Sequence, residues 1–346
     1  MKIIIHAVNI HVGGGRELLS ALLNEINEEV FLSVDKRMPL PKNLKGNINV
    51  KCIKSSIFQR LLAELWLFNN VKKDDFVLCF GNLPPLFTLS GYTVVFLQNR
   101  FLVENISLTG FPLSIRLRLL LERIWVHRKL TTVDKFIVQT PSMKRLLETK
   151  LKKLLPIQIL PYIAEPRGYT RGLINADRTV EKNYDFVYVA SGEPHKNHRC
   201  LILAWCLLAK EGIYPSLCLT LDEDRFFNLC SFISDMRKCY CVNIVNLGVQ
   251  AHSEVLSLYD KSSAAIYPSK YESFGLPLVE ARQAGLPVLA AELDFVRDVL
   301  DPEQVFDPNS YISIARAVKR FMGVDEAPLP LSNASHFWAS LLNKDV

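Results

Sequence analysis

No run in this chain reaches the roughly 18 uncharged apolar residues that a membrane-crossing helix needs. Of its eight cysteines no two stand as Cys-x-x-Cys, and only Cys239 and Cys241 lie close together. That spacing suggests neither a disulfide framework nor a zinc site. The opening "MKIIIHAVNI" is too short an apolar run for an export signal and has no small-residue cleavage site, so it reads as a first buried strand. Reduced thiols in the cytoplasm are then the expectation. Gly13-Gly14-Gly15 follows that strand, but Gly-x-Gly-x-x-Gly is missing and no acidic residue stands where a dinucleotide site needs one. Internal repeats and low-complexity segments are missing too.

What is present is an ordinary soluble composition, 49% hydrophobic and 22% charged, in 346 residues, enough for two domains with a core each. The net charge of +6 is unevenly divided. Residues 1–170 hold 24 basic against 13 acidic side chains, and the remainder 17 against 22. A basic first half beside an acidic second half suggests different partners: nucleic acid, anionic lipid or a phosphorylated substrate for the first.

Short apolar runs alternate with amphipathic stretches throughout, the α/β pattern. "KIIIHAVNI" predicts a strand, "HVGGG" a turn and "RELLSALLNEINEEV" a helix. "VFLSV", "NVKCI", "FVLCF", "TVVFLQ" and "KFIVQT" predict further strands. In "PSMKRLLETKLKKLL" Thr140 suits a helix cap and Pro141 a first turn. The proline- and glycine-punctuated stretch after it predicts a linker. The alternation restarts with "DFVYVASG", "SLCLTL", "CVNIVNLG" and "SAAIYPS" as strands, and "LPVLAA" closes the sheet. The expected architecture is α/β, two tandem Rossmann-like domains with a cleft between them: 1–165, a linker over 166–184, 185–330, and a C-terminal helix over 331–346 that could pack back on the first domain.

In "YPSKYESFGLPLVEARQAGLPVLA" Glu272 and Glu280 stand eight positions apart around a helix start marked by Gly275 and Pro277. Glu272 falls on the loop, Glu280 about one turn into the helix. Free backbone N–H groups near Phe274, Gly275 and Leu276, with the helix dipole, make an anion site. Carboxylates beside an anion must bind another part of the same ligand, and vicinal hydroxyls suit them. A diphosphate flanked by ribose and sugar satisfies both demands, which describes a nucleotide-sugar.

"EsFGLPLvEA" resembles the E-x7-E motif of retaining GT-B glycosyltransferases, especially the family 4 group. "GGGRELLSALL", "FIVQTPSMKRLL", "IQILPYIAE", "YVASGEPHKNHRCLILAW", "NIVNLGVQAHSEVLSLY" and "GLPVLAAELDFVRDVL" are similar to other segments of that family, in order. The resemblance implies a donor site in the second domain and an acceptor site in the first. It places Glu272 on donor-sugar hydroxyls and Glu280 on ribose. Lys196 would neutralise the diphosphate, making Glu272 and Lys196 the catalytic pair. Ser273, Phe274, Gly275 and Leu276 would hold the sugar and distal phosphate, Val249 would meet the base, and Gly14 and Gly15 would let backbone approach the ligand. The family often has arginine where this chain has His195 or Ser191, and a histidine after an N-terminal strand where it offers Gln98, Asn99 and Arg100, the acceptor-side candidates. A histidine's charge near neutral pH depends on its surroundings.

Implied with these are metal-independent chemistry without a cofactor, front-face departure with the leaving phosphate assisting deprotonation, and a glycan or undecaprenyl-diphosphate-linked acceptor in O-antigen or capsule synthesis. A GT-B nucleotide-sugar epimerase and a non-catalytic GT-B partner subunit are the alternatives. Replacing Glu272 or Lys196 by alanine is expected to abolish turnover and barely change apo unfolding.

Asp222 and Asp224 in "LDEDRF" could bind a divalent metal in another glycosyltransferase fold, or lie in the next helix's first turn. His195 and His198 have metal-ligand spacing without a third ligand. The basic run "SIRLRLLLERIWVHRKL", residues 114–130, reads as a helix packed on the first domain or as a peripheral contact with anionic lipid at the inner membrane face. No aromatic platform supports nucleic acid.

Overall fold

The computed structural model describes residues 1–41, 44, 46–150, 155–163 and 182–324. Every strand pairing among them is parallel, and the strands fall into two sheets. The first domain runs β1 (Ile3–Ala7), α1 (Gly13–Glu25), β2 (Val30–Asp35), β3 (Ile48–Ile53), α2 (Ile57–Asn70), β4 (Phe76–Cys79), β5 (Tyr92–Phe96), α3 (Leu113–Lys129), β6 (Lys135–Val138), α4 (Pro141–Glu148) and β7 (Ile157–Ile159). Its sheet order is β3-β2-β1-β4-β5-β6-β7.

Successive side chains leave a strand on opposite faces, so the two sides of this sheet bury different helices. Ile5, Leu32 and Val34 pack with Leu18, Leu19 and Leu23 of α1. Ile4, Val77 and Phe136 pack with Leu67 of α2, Leu119 and Val126 of α3, and Met143 and Leu147 of α4. The expected cap of α4 is present: Thr140 Oγ1 accepts from Met143 N at 3.2 Å, and Pro141 opens the helix.

The second domain runs β8 (Tyr184–Tyr188), α5 (His198–Lys210), β9 (Leu217–Leu219), α6 (Phe227–Tyr240), β10 (Ile244–Asn246), α7 (His252–Asp260), β11 (Ser262–Tyr267), α8 (Leu276–Gln283), β12 (Val288–Ala291), α9 (Asp294–Arg297), β13 (Gln304–Phe306) and α10 (Tyr311–Met322). Its order is β10-β9-β8-β11-β12-β13. Uniformly buried strands such as β12 are what a sheet covered on both faces requires.

Four expectations change. The three glycines are the first turn of α1 rather than a turn ahead of it, with Val12 at the cap. "LPVLAA" does not close the second sheet, because β13 pairs beyond it. Only three residues long, β13 carries too little pattern to declare itself. Helices α2 and α6 were not anticipated, α2 because its outward side is as apolar as its inward side. Most of the expected linker 166–184 lies outside the described residues, as does the helix over 331–346, and β8 opens at Tyr184.

Candidate active site

Open parallel sheets bind ligands beyond the carboxyl ends of their strands, where the strand order reverses. In the second sheet that point lies between β8 and β11. Lys196 sits on the loop after β8 and Glu272 on the loop after β11, so topology alone brings them together. Lys196 Nζ is 2.6 Å from Glu272 Oε1, and both side chains are largely buried.

Two residues fix the Lys196 loop. Asn197 adopts left-handed backbone (φ 63°), which asparagine tolerates better than most residues. Its side-chain amide donates to Pro268 O at 3.1 Å and Pro308 O at 2.6 Å, tying the loop to the neighbouring one. The buried Tyr188 hydroxyl donates to Lys196 O at 2.8 Å and lies 2.8 Å from Ser269 Oγ. Tyr267 OH donates to Glu272 Oε1 at 3.2 Å, alongside Lys196. Burial pushes the Glu272 carboxyl up, but the charge and hydrogen bond of Lys196 outweigh it and hold the group below its ordinary value. Glu272 is therefore ionised at neutral pH.

The helix start falls as the glycine and proline indicate, with Gly275 (φ 74°) capping α8. A Cβ there would come within 2.9 Å of Leu278 Cδ1, so both backbone and space demand glycine. Glu280 is the fifth residue of α8. Its Oε1 lies 3.1 Å from His252 Nε2 at the start of α7, and that hydrogen bond raises the His252 pKa. Glu17 and Arg16 of α1 also act on His252, which brings the first domain to this edge of the cleft. A Cβ on Gly14 would sit 3.6 Å from Leu276 Cδ2, and one on Gly15 3.8 Å from Gln98 Oε1. The glycine turn, Gln98 and the α8 start thus face one another.

Other first-domain groups reach the same place. Arg100 Nη1 is 3.4 Å from Glu272 O, with its Nε on Glu104. Thr140 Oγ1 donates to Ser273 O at 3.1 Å, and Ser142 N donates to Asp298 Oδ2 at 2.8 Å, so the amino end of α4 abuts the second domain. Asn99 caps its own turn, its Oδ1 accepting from Phe101 N at 3.0 Å.

His195 is packed edge-on to Phe101 (5.1 Å) and against Phe111 (6.1 Å). Burial first, then the Lys196 charge, lower its pKa, so it is neutral at neutral pH and adds no second cation. Arg100, paired with Glu104, is the guanidinium that reaches the Glu272 loop from the opposite domain. Ser191 bonds to Glu193, and Val249 is 72% exposed on the loop after β10. Asp222 Oδ1 accepts from Arg225 N at 3.0 Å in a turn ahead of α6, not in the helix's first turn. His198 is buried against Tyr188, outside the cleft. No group of three metal-ligating side chains converges among the described residues, and no described helix is long and apolar enough to cross a membrane.

Tyr267, His252, Asn197 and Tyr188 were not singled out from sequence. Asn197 stands beside Lys196 in "EPHKN" and could have been; the others meet their partners only through the fold.

Comparison with known proteins bears on the fold. Residues 173–335, just under half of the chain, match the family described as "Glycosyl transferases group 1". The O-antigen chain mannosyltransferase B of Escherichia coli is 31% identical over 135 residues, 37% of this chain and 34% of that protein. The O-antigen chain mannosyltransferase RfbU of Salmonella typhimurium is 24% identical over 163 residues, 46% and 43%. The matched part thus spans well under half the length of these relatives. Among solved structures, HepE of Anabaena in complex with UDP-glucose superposes with a TM-score of 0.65 at 15% identity, covering 93% of this chain and 90% of that one. Sucrose-phosphate synthase of Thermosynechococcus elongatus gives 0.62 at 16%, with the same coverage. These likenesses show the fold: GT-B, two parallel Rossmann-like domains.

Proposed function

We propose that the protein is a retaining glycosyltransferase of the family 4 kind, moving a sugar from a nucleotide-sugar to a glycan or lipid-linked acceptor in O-antigen or capsule assembly. The observation that carries this reading is the Lys196–Glu272 pair at the second sheet's switch point, beside the α8 amino end. On it, diphosphate oxygens accept from Lys196 and from the backbone N–H groups at Phe274, Gly275 and Leu276. Glu272 accepts from sugar hydroxyls and Glu280 from the ribose diol. The anomeric carbon–phosphate bond breaks while a bond to the acceptor oxygen forms on the same face, and the acceptor proton passes to the departing phosphate. Positive charge placed where that phosphate develops negative charge lowers the barrier. Arg100 supplies the charge that neutral His195 does not. The reading needs no metal.

The named relatives are mannosyltransferases, which favours a mannosyl donor. The acceptor falls to the first domain, whose basic surface suits a lipid-linked diphosphate at an anionic membrane face, with residues 114–130 in contact.

A thermal-shift screen with GDP-mannose, UDP-glucose, UDP-N-acetylglucosamine and dTDP-glucose, repeated on Glu280→Ala, tests the donor site. Stabilisation by one nucleotide series, lost in the variant, is expected, and transfer to acceptor with an unchanged anomeric configuration by NMR completes the test. No shift from any donor on folded protein would favour a non-catalytic subunit. An altered free sugar formed without acceptor would favour an epimerase.

A further inference from the structure

The sequence reading leaves α3 as a helix with one apolar side turned inward. The structure gives it two. Leu119 and Val126 are buried on the sheet, while Leu113, Leu117, Leu121 and Ile124 are exposed in a row along the outer side. Helix α2, on the same side of the sheet, repeats the arrangement with Ile57, Leu61, Leu65 and Phe68. Both rows follow the spacing i, i+4, i+8, i+11, which keeps each on one helical stripe. Ile57 is 90% exposed and Leu113 79%. Arg60 of α2 acts electrostatically on Glu122 of α3, so the two helices are near neighbours. Exposed apolar rows on two helices that lie on one side of a sheet, within charge reach of each other, mark an interaction site rather than ordinary surface.

The charges along these stripes have one sign. Each helix contains a single acid. Glu64 is buried, and Glu122 is partly buried and 3.6 Å from Arg118. Arg118, Arg128 and Arg60 remain at the surface. A cavity of about 280 Å³ opens at the carboxyl end of α3, lined by Arg123, His127, Arg128 and Lys150 over an apolar floor of Leu102 and Val126, with no acidic residue in its lining among the described residues. Arg123 Nε donates to Phe101 O at 2.6 Å and its Nη2 to Ile106 O at 3.1 Å. That leaves Arg128 and His127 facing a ligand, with Lys150, whose Nζ also donates to Asn105 Oδ1 at 3.4 Å, beside them. A second copy docked symmetrically would set these cations against themselves. An anionic bilayer meets both the apolar rows and the positive charge.

We propose that the outer sides of α2 and α3 form one membrane-docking surface, and that the cavity at the end of α3 receives the phosphate of an anionic lipid headgroup. Side chains of this mixture partition into the interface between headgroups and acyl chains. The surface also lies behind the acceptor side of the cleft, since Arg123 braces the turn whose Phe101 packs on His195. This extends the membrane contact suggested for residues 114–130 to a second helix and a lipid site. It does not depend on the glycosyl-transfer chemistry.

The test is co-sedimentation of the full chain with vesicles of phosphatidylcholine alone or mixed with phosphatidylglycerol. Binding only to the mixed vesicles is expected, and Leu117→Asp/Leu121→Asp and, separately, Leu61→Asp each weaken it roughly tenfold or more. Arg128→Ala/Lys150→Ala is expected to reduce the preference for phosphatidylglycerol, and inorganic phosphate competes weakly at most. Unchanged melting curves and donor-induced shifts in these exposed-site variants show that folding and the donor site are intact, so a failure here is separable from failure of the donor reading. Lack of binding to mixed vesicles overturns the proposal. So does binding that the leucine variants leave unchanged, or a dimer of the wild type that they dissociate. Full competition by inorganic phosphate would reassign the cavity to a soluble phosphate.

Discussion

Lys196 and Glu272 share a short ion pair, yet they stand 76 positions apart and on loops that follow different strands. Each is the other's main compensation for burial. Truncating one partner of such a pair strands the other, and the cost exceeds the net worth of the pair.

Lys196→Ala is therefore expected to lower apo stability by about 2–3 kcal/mol, somewhat less than the roughly 3–5 kcal/mol typical of breaking a fully buried pair, because some solvent reaches both side chains. This departs from the small effect that sequence alone suggests. Lys196→Met/Glu272→Gln should cost less than the sum of the single changes. Turnover should fall by about 10²–10³-fold in either single variant, as when one charge-stabilising donor is removed. Urea unfolding and a transfer assay measure the two effects. Additive stability costs would refute the coupling.

Gly275→Ala forces an L side chain into left-handed backbone and against Leu278. About 1–3 kcal/mol of stability should be lost. The stronger consequence is local, because the capping residue of α8 shifts and its N–H groups lose their aim. Calorimetric titration with the best donor should show weaker binding even at temperatures where the variant is fully folded.

His252 has its pKa raised by Glu280, so the charged pair is fully present below about pH 6.5 and is lost as pH rises through the higher folded value. If the pair holds Glu280 for ribose, donor affinity in the wild type should decline across that window by a few fold, about 0.5–1 kcal/mol for a partly exposed bond. His252→Asn should bind more weakly and show no step. A parallel profile in the two proteins would rule the role out.

His198 behaves in the opposite sense. Burial first, then the Lys196 charge, lower its pKa to about 3, and both ring nitrogens are buried without a partner among the described residues. The unfolded chain takes up a proton near pH 6.5 that the folded one refuses, so stability falls as pH drops from 6.5 toward 3. The slope from this group is at most about 1.4 kcal/mol per pH unit. His198→Phe keeps an aromatic ring against Tyr188 and should flatten the acid limb of the urea midpoint plotted against pH. An unchanged acid limb would mean that other groups set it.

Most strands and the α8 start were legible because their signals are local. Apolar runs, Pro141 after Thr140, and Gly275 before Pro277 each act within a turn of chain. Helix α2 was hidden by its second apolar side and β13 by its brevity. In the candidate site Lys196, Glu272 and Glu280 were readable as a motif. Tyr267, His252 and Arg100 acquire their relation to those carboxylates only when loops meet.

The sequence by itself determined the alternation of strand and helix, the glycine that α8 requires and the spacing of Glu272 and Glu280 around that helix start. Backbone preference and side-chain chemistry act locally, so no fold is needed to read them. Only the tertiary structure decided that His195 is neutral, that Arg100 reaches the Glu272 loop across the cleft, and that α2 and α3 turn apolar rows outward. Burial, electrostatic neighbourhood and surface contiguity are properties of distance in space, and distance along the chain does not fix them.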